Sequence, residues 1–183
     1  MDNLRYIRRT MERAGSFTAV PGIGGMLMGS TALAAAWLAD RQAGAAGWMA
    51  VWILEGFLAL AIGIVAAAVK SRRARTPLLS GPGYKFVAGF APALAAGALL
   101  SFVLFRDGLV RFLPGTWLLL YGAGVLSGGG ASVRVVPLMG GCFMALGAGA
   151  LLIHGVGSNA VLAAGFGGLH IVFGTIIAVK YGG

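Results

Sequence analysis

From Val135 to Val179 the chain runs 45 residues without an Asp, Glu, Lys or Arg. A stretch of that length cannot be one soluble helix, and it is about twice what one crossing of a bilayer needs, since a span takes about 20 apolar residues. The run is broken midway at His154-Gly-Val-Gly-Ser-Asn159, whose glycines and small polar residues mark a turn. It therefore reads as two transmembrane helices joined in a tight hairpin.

The rest of the chain repeats this pattern. Charge-poor runs occupy 16–39, 48–69, 86–105 and 112–127, and the last two spans are 135–153 and 159–179. Six spans consume nearly all of the 183 residues, and 58% of the residues are hydrophobic against 10% charged. This excludes a separate soluble catalytic or DNA-binding domain within 1–183. The sequence predicts an all-α polytopic membrane protein of six transmembrane helices, arranged as three helical hairpins in a single integral membrane domain. The first run is longer than the apolar core of a signal peptide, so it reads as a retained span although Ala34 to Ala36 resembles a cleavage site.

Basic residues orient the spans, because cytoplasmic segments retain Lys and Arg. Alternate loops place Arg5, Arg8, Arg9, Arg13, Lys70, Arg72, Arg73, Arg75, Lys85, Arg134 and Lys180 on one side, and only Arg41, Arg106 and Arg111 on the other. Both termini are accordingly expected in the cytoplasm, with a bacterial inner membrane as the setting. The formal charge of +9 lies beside apolar runs rather than over a soluble face, so it argues for topology and not for nucleic acid. Leu4, Ile7, Met11 and Ala14 fall at helical steps with arginines on the other faces, which predicts a short amphipathic interfacial helix within 1–15. The lipid bilayer is the expected partner. Anionic headgroups suit the basic face, and a homo-oligomer or a second membrane protein fits the apolar one. The 71–85 segment reads first as a plain topology loop.

The 32 glycines suit helices that approach closely through small residues, and Gly25-x-x-x-Gly29 and Gly124-x-x-x-Gly128 fit that pattern. Pro21, Pro92 and Pro137 open the odd spans, and Glu55, Tyr121 and His170 lie near the middle of the even ones, at separations that allow a threefold hairpin repeat. Each of these three side chains shares its helical stripe with small residues: Glu55 with Ala59, Gly63 and Ala66, Tyr121 with Trp117, Gly124 and Gly128, and His170 with Ala163, Gly167, Gly174 and Ala178. They are expected to point inward.

Glu55 is the leading candidate for a substrate- or ion-binding residue. It lies about 10 Å along its helix from Trp48, where an acidic residue costs roughly 2.5–3.5 kcal/mol and needs a partner or a proton. His170 can donate to it or relay a proton, and Tyr121 joins the same candidate set. His154 and His170 sit at different depths, which argues against bis-histidine haem ligation, and Cys142 has no second cysteine in the chain to pair with. No cofactor or metal is expected. The glycine-rich 127–132 segment lacks the Gly-Lys-Ser/Thr ending of a phosphate loop and reads as a turn, and neither the HExxH nor the rhomboid-type pattern is present. The chain is thus expected to be no enzyme. Two roles fit: a small-solute, ion or proton transporter or channel subunit using Glu55, or a non-catalytic structural, assembly or sensory subunit. The surroundings of Glu55 decide between them, because transport requires a cavity there and a scaffold requires a sealed hydrogen bond.

Overall fold

A computed structural model of the chain describes residues 18–75, 81–153, 155 and 157–182. The amphipathic segment within 1–15, most of the 71–85 loop's turn and His154 lie outside the described residues. The described residues form helices joined by short turns. In chain order these are α1 (Gly22–Ala39), α2 (Ala45–Arg73), α3 (Gly81–Arg106), a 3-10 turn (Val110–Phe112), α4 (Leu113–Gly129), α5 (Val135–Leu152) and α6 (Ser158–Tyr181). Five of them are long and apolar enough to cross a membrane, and α4, at 17 residues, is the sixth apolar helix and extends the 3-10 turn.

Local sequence accounts for most of the helix limits. Pro21 is extended and precedes α1, so the helix starts at Gly22 rather than at residue 16. At 29 residues α2 is about 43 Å long, more than the ~30 Å hydrocarbon layer, and its last turn carries Lys70, Arg72 and Arg73. Those cations complement the helix C-terminus as well as the interface. The three prolines are not equivalent: Pro21 precedes its helix, Pro92 lies within α3 and Pro137 is in the first turn of α5. This geometry does not repeat three times.

Packing divides the helices into two groups of three. In one, α1 lies between α2 and α6; in the other, α4 lies between α3 and α5. The hairpin expected of the last two spans is therefore loose: α5 packs chiefly on α4, and α6 chiefly on α1. The reason is where the glycines face. A Cβ at Gly140 would stand 2.7 Å from Gly122 O, and one at Gly147 would stand 2.8 Å from Gly115 O, so α4 and α5 run backbone to backbone. On the other side, a Cβ at Gly174 would meet Gly22 O at 2.8 Å and one at Gly29 would meet Gly167 O at 2.6 Å. Both interfaces are antiparallel, and both use glycines seven apart, two turns along a helix. The Gly124-x-x-x-Gly128 stripe serves a third contact, against Phe90, Ala93 and Phe86 of α3.

The groups meet over an aromatic core. Phe143, Leu113, Leu118 and Leu162 are fully buried, with Trp52, Phe173 and the alanines of α1 around them. The outward sides of α2 and α3 carry exposed Leu54, Phe57, Leu99 and Phe102. A soluble protein would not leave these uncovered, whereas lipid is their natural solvent.

Candidate functional site

The three residues singled out in the sequence separate into two sites. Glu55 is buried, at 8% exposure, and its Oε1 accepts a 2.8 Å hydrogen bond from Thr31 Oγ1 of α1. The Met28 carbonyl of the same helix also stands 2.9 Å from Thr31 Oγ1, so the single hydroxyl proton is shared between the two acceptors. The small residues on the Glu55 stripe do face α1: Gly63 lies against Met28 Sδ, and Ala66 Cβ lies against Gly24. The same stripe extends the other way through Trp52 and Trp48, which with Glu55 form the buried face of α2 in steps of four and three.

Tyr121 and His170 come together. Tyr121 Oη stands 2.7 Å from His170 Nε2, and His170 Nδ1 stands 2.9 Å from the Phe166 carbonyl. A carbonyl only accepts, so Nδ1 carries a proton; with a single ring proton, Nε2 accepts from the Tyr121 hydroxyl. Both bonds are made just after an irregularity in α6, which is π-helical over Ala163–Leu169. There the backbone N–H of His170 turns to Gly167 O, and the His170 ring takes the Phe166 carbonyl instead. π turns of this kind recur at functional positions. They also change the face a helix presents: Gly167 and Gly174 face α1, while His170, between them, turns its ring to α4 and α5.

Aromatic rings enclose the pair. Phe90, Phe143 and Phe166 each meet the Tyr121 ring edge-on, at centroid distances of 5.6, 4.9 and 5.3 Å. His170 is 4% exposed. Among the described residues, no buried side-chain nitrogen or oxygen lacks a hydrogen-bond partner, and no cluster of His, Cys, Asp or Glu has the makings of a metal site.

A polar cluster that sequence reasoning missed lies at the end of the bundle where α1 meets α2 and α5 meets α6. Asn159 Oδ1 accepts from both Trp48 Nε1, at 2.7 Å, and Trp52 Nε1, at 3.2 Å, while its Nδ2 donates to Asp40 Oδ1 at 3.3 Å. The Trp48 indole stacks on Trp117 of α4, with centroids 5.5 Å apart and planes 7° from parallel. Trp117 Nε1 in turn donates to Ser101 Oγ of α3 at 2.7 Å. One chain of hydrogen bonds and ring stacking thus ties α1, α2, α3, α4 and α6 at this end. Asn159, a strongly polar residue in a 45-residue uncharged run, was the available signal.

Next to this cluster is an open cleft of about 500 Å³, lined in part by Asp40, Gln42, Trp48, Arg111, Ser158 and Asn159. Glu55, Tyr121 and His170 are not among its walls. Compared with known proteins, the chain matches no family model, no curated protein and no solved structure.

Proposed function

We propose that this protein is a closed membrane subunit with an assembly or sensory role, acting through its surfaces and the cleft at one end rather than by passing a solute through its middle. The observation that carries this reading is that, among the described residues, no buried side-chain nitrogen or oxygen lacks a hydrogen-bond partner. Glu55 is bonded to Thr31, and Tyr121 to His170. A transport site keeps polar groups for its cargo, because an acid in hydrocarbon is costly unless a cation, a proton or water compensates it. Here neighbouring helices supply the compensation. The two glycine interfaces add to the argument, since backbones in contact leave no width for a path between α1 and α6 or between α4 and α5.

The membrane setting follows from the apolar helices. We read the charge bias as favouring the cytoplasm for the basic ends of α2 and α6 and the outer face for the Asn159 cluster, with a bacterial inner membrane as the proposed setting. The basic side then suits anionic lipid or a partner protein.

One observation favours transport: the π turn beside His170, which is a natural hinge next to a titratable ring near the middle of α6. Flux into liposomes holding purified protein separates the two readings. The closed-subunit reading predicts proton and solute leak no faster than in empty liposomes, for wild type and Glu55→Gln alike. Gradient-driven flux that is lost in Glu55→Gln, at unchanged thermal stability, would establish transport instead.

A further inference from the structure

The cleft beside Asn159 has opposite charges in its walls that do not satisfy each other. Asp40, which follows the last turn of α1, and Arg111, in the 3-10 turn before α4, both line it. No salt bridge joins them, and the one ion pair recorded among the described residues is Arg106 with Asp107. The neighbouring Arg41 is turned away: its Nη1 donates to the Trp37 carbonyl at 2.6 Å and its guanidinium lies 3.4 Å over the Trp37 ring. Asp40 is therefore held by a neutral amide and not by a cation.

The rest of the wall is fixed in place. Asn159 has both indole N–H groups on its oxygen and directs its amide nitrogen at Asp40 Oδ1, while Asp40 is exposed and lines the cleft. Trp48 is 9% exposed and pinned between its hydrogen bond and the Trp117 ring, which makes it a rigid apolar wall rather than a mobile side chain. An acid, a guanidinium that stands 4.7 Å over the Phe112 ring, and a preorganised indole line one open cleft and suit a molecule that carries both charges.

We infer that this cleft binds a small zwitterion with a primary ammonium and an acidic group, the ammonium on Asp40, the acid on Arg111 and the carbon frame against Trp48. Two sources carry this chemistry: a free solute such as an amino acid, and the ethanolamine phosphate headgroup of a lipid. The inference rests on the closed-subunit reading only for what the binding is for, and the flux measurement fails or succeeds independently of it.

The test uses the full chain in lipid nanodiscs, with the thermal midpoint and tryptophan emission as readouts. One arm adds L-alanine or O-phosphoethanolamine to discs of phosphatidylglycerol alone. The other replaces part of that lipid with phosphatidylethanolamine and adds no solute. Binding at a hundredfold excess over Kd raises Tm by roughly 5 °C or more. A rise with L-alanine in the first arm identifies a free solute, and a rise with phosphatidylethanolamine, with or without one with O-phosphoethanolamine but none with L-alanine, identifies the headgroup. In either case Asp40→Asn and Arg111→Gln each weaken the response at least about tenfold, the loss of one charge-assisted contact, while Arg106→Gln keeps it. Midpoints of the unliganded variants equal to wild type exclude misfolding as the cause. No response in either arm, or a response that survives in both Asp40→Asn and Arg111→Gln, overturns the inference.

Discussion

Adding one methyl group at Gly140 should destabilise the protein, while the same change at the next residue should not. In Gly140→Ala the new Cβ would stand 2.5 Å from Leu126 N and 2.7 Å from Gly122 O. Both are backbone atoms of α4 and cannot rotate aside, so α4 and α5 must separate by about 1 Å to restore ordinary contact. Overpacking of this kind costs about 1–3 kcal/mol, against a gain in helix propensity of at most about 1 kcal/mol on leaving glycine. The net expectation is a loss of about 1–2 kcal/mol. At Gly141 a Cβ would meet nothing within 4 Å, so Gly141→Ala gains the propensity term alone and is neutral or up to about 1 kcal/mol more stable. Reversible unfolding in mixed micelles, followed by tryptophan emission, measures both. If the two variants unfold within about 0.5 kcal/mol of each other, the contact between α4 and α5 does not govern stability and the argument from glycine proximity is wrong.

Two more outcomes follow from the buried hydrogen bonds. Thr31→Val keeps the shape of the side chain but removes the donor to Glu55, and should cost about 1–3 kcal/mol. Glu55→Gln keeps an oxygen to accept that bond and should cost less; the same unfolding assay ranks them, and a costlier Glu55→Gln would mean that the carboxyl has a role beyond accepting from Thr31. Tyr121→Phe leaves the ring in its aromatic cage and removes only the hydroxyl on His170, for a loss of about 1–2 kcal/mol. A double-mutant cycle with His170→Phe should give a coupling of at least about 0.5 kcal/mol, and strict additivity would deny the bond.

The helices could be read from the sequence because lipid imposes a simple rule: a span must be long, apolar and free of charge. That rule found the six apolar segments and misjudged only their ends, as at Pro21, where extended backbone delays α1 to Gly22. Which helix packs on which was not legible. The glycine matches at spacing four do pack closely, Gly25 and Gly29 on α6 and Gly124 and Gly128 on α3, but the α1–α6 and α4–α5 contacts also use Gly22 with Gly29, Gly167 with Gly174, Gly115 with Gly122, and Gly140 with Gly147, all at spacing seven. In a chain with 32 glycines such spacings recur by accident, and only the partner helix distinguishes them.

The candidate site was legible to a similar extent. The small residues on their helical stripes predicted that Glu55, Tyr121 and His170 would turn inward, and all three do. Their partners are set by tertiary structure: Thr31 is 24 residues from Glu55, and Tyr121 is 49 from His170. The π turn that allows His170 to face α4 leaves no signature in hydropathy, and without it the stripe through Gly167, His170 and Gly174 reads as one face. The Trp48, Trp52 and Asn159 cluster joins residues more than 100 apart, so neither end announces the other.

Access of water to the Thr31–Glu55 pair tests the closed bundle most directly. Thr31→Cys, in a Cys142→Ser background, places a small thiol beside Glu55, and Gln42→Cys places one in the open cleft. Both are exposed in nanodiscs to a charged, membrane-impermeant thiol reagent, which reacts only where water reaches the sulfur. A closed bundle predicts rapid modification at Gln42→Cys and none at Thr31→Cys over the same time. Modification of Thr31→Cys at a rate comparable to Gln42→Cys would place a water path at mid-membrane, contradicting the closed bundle.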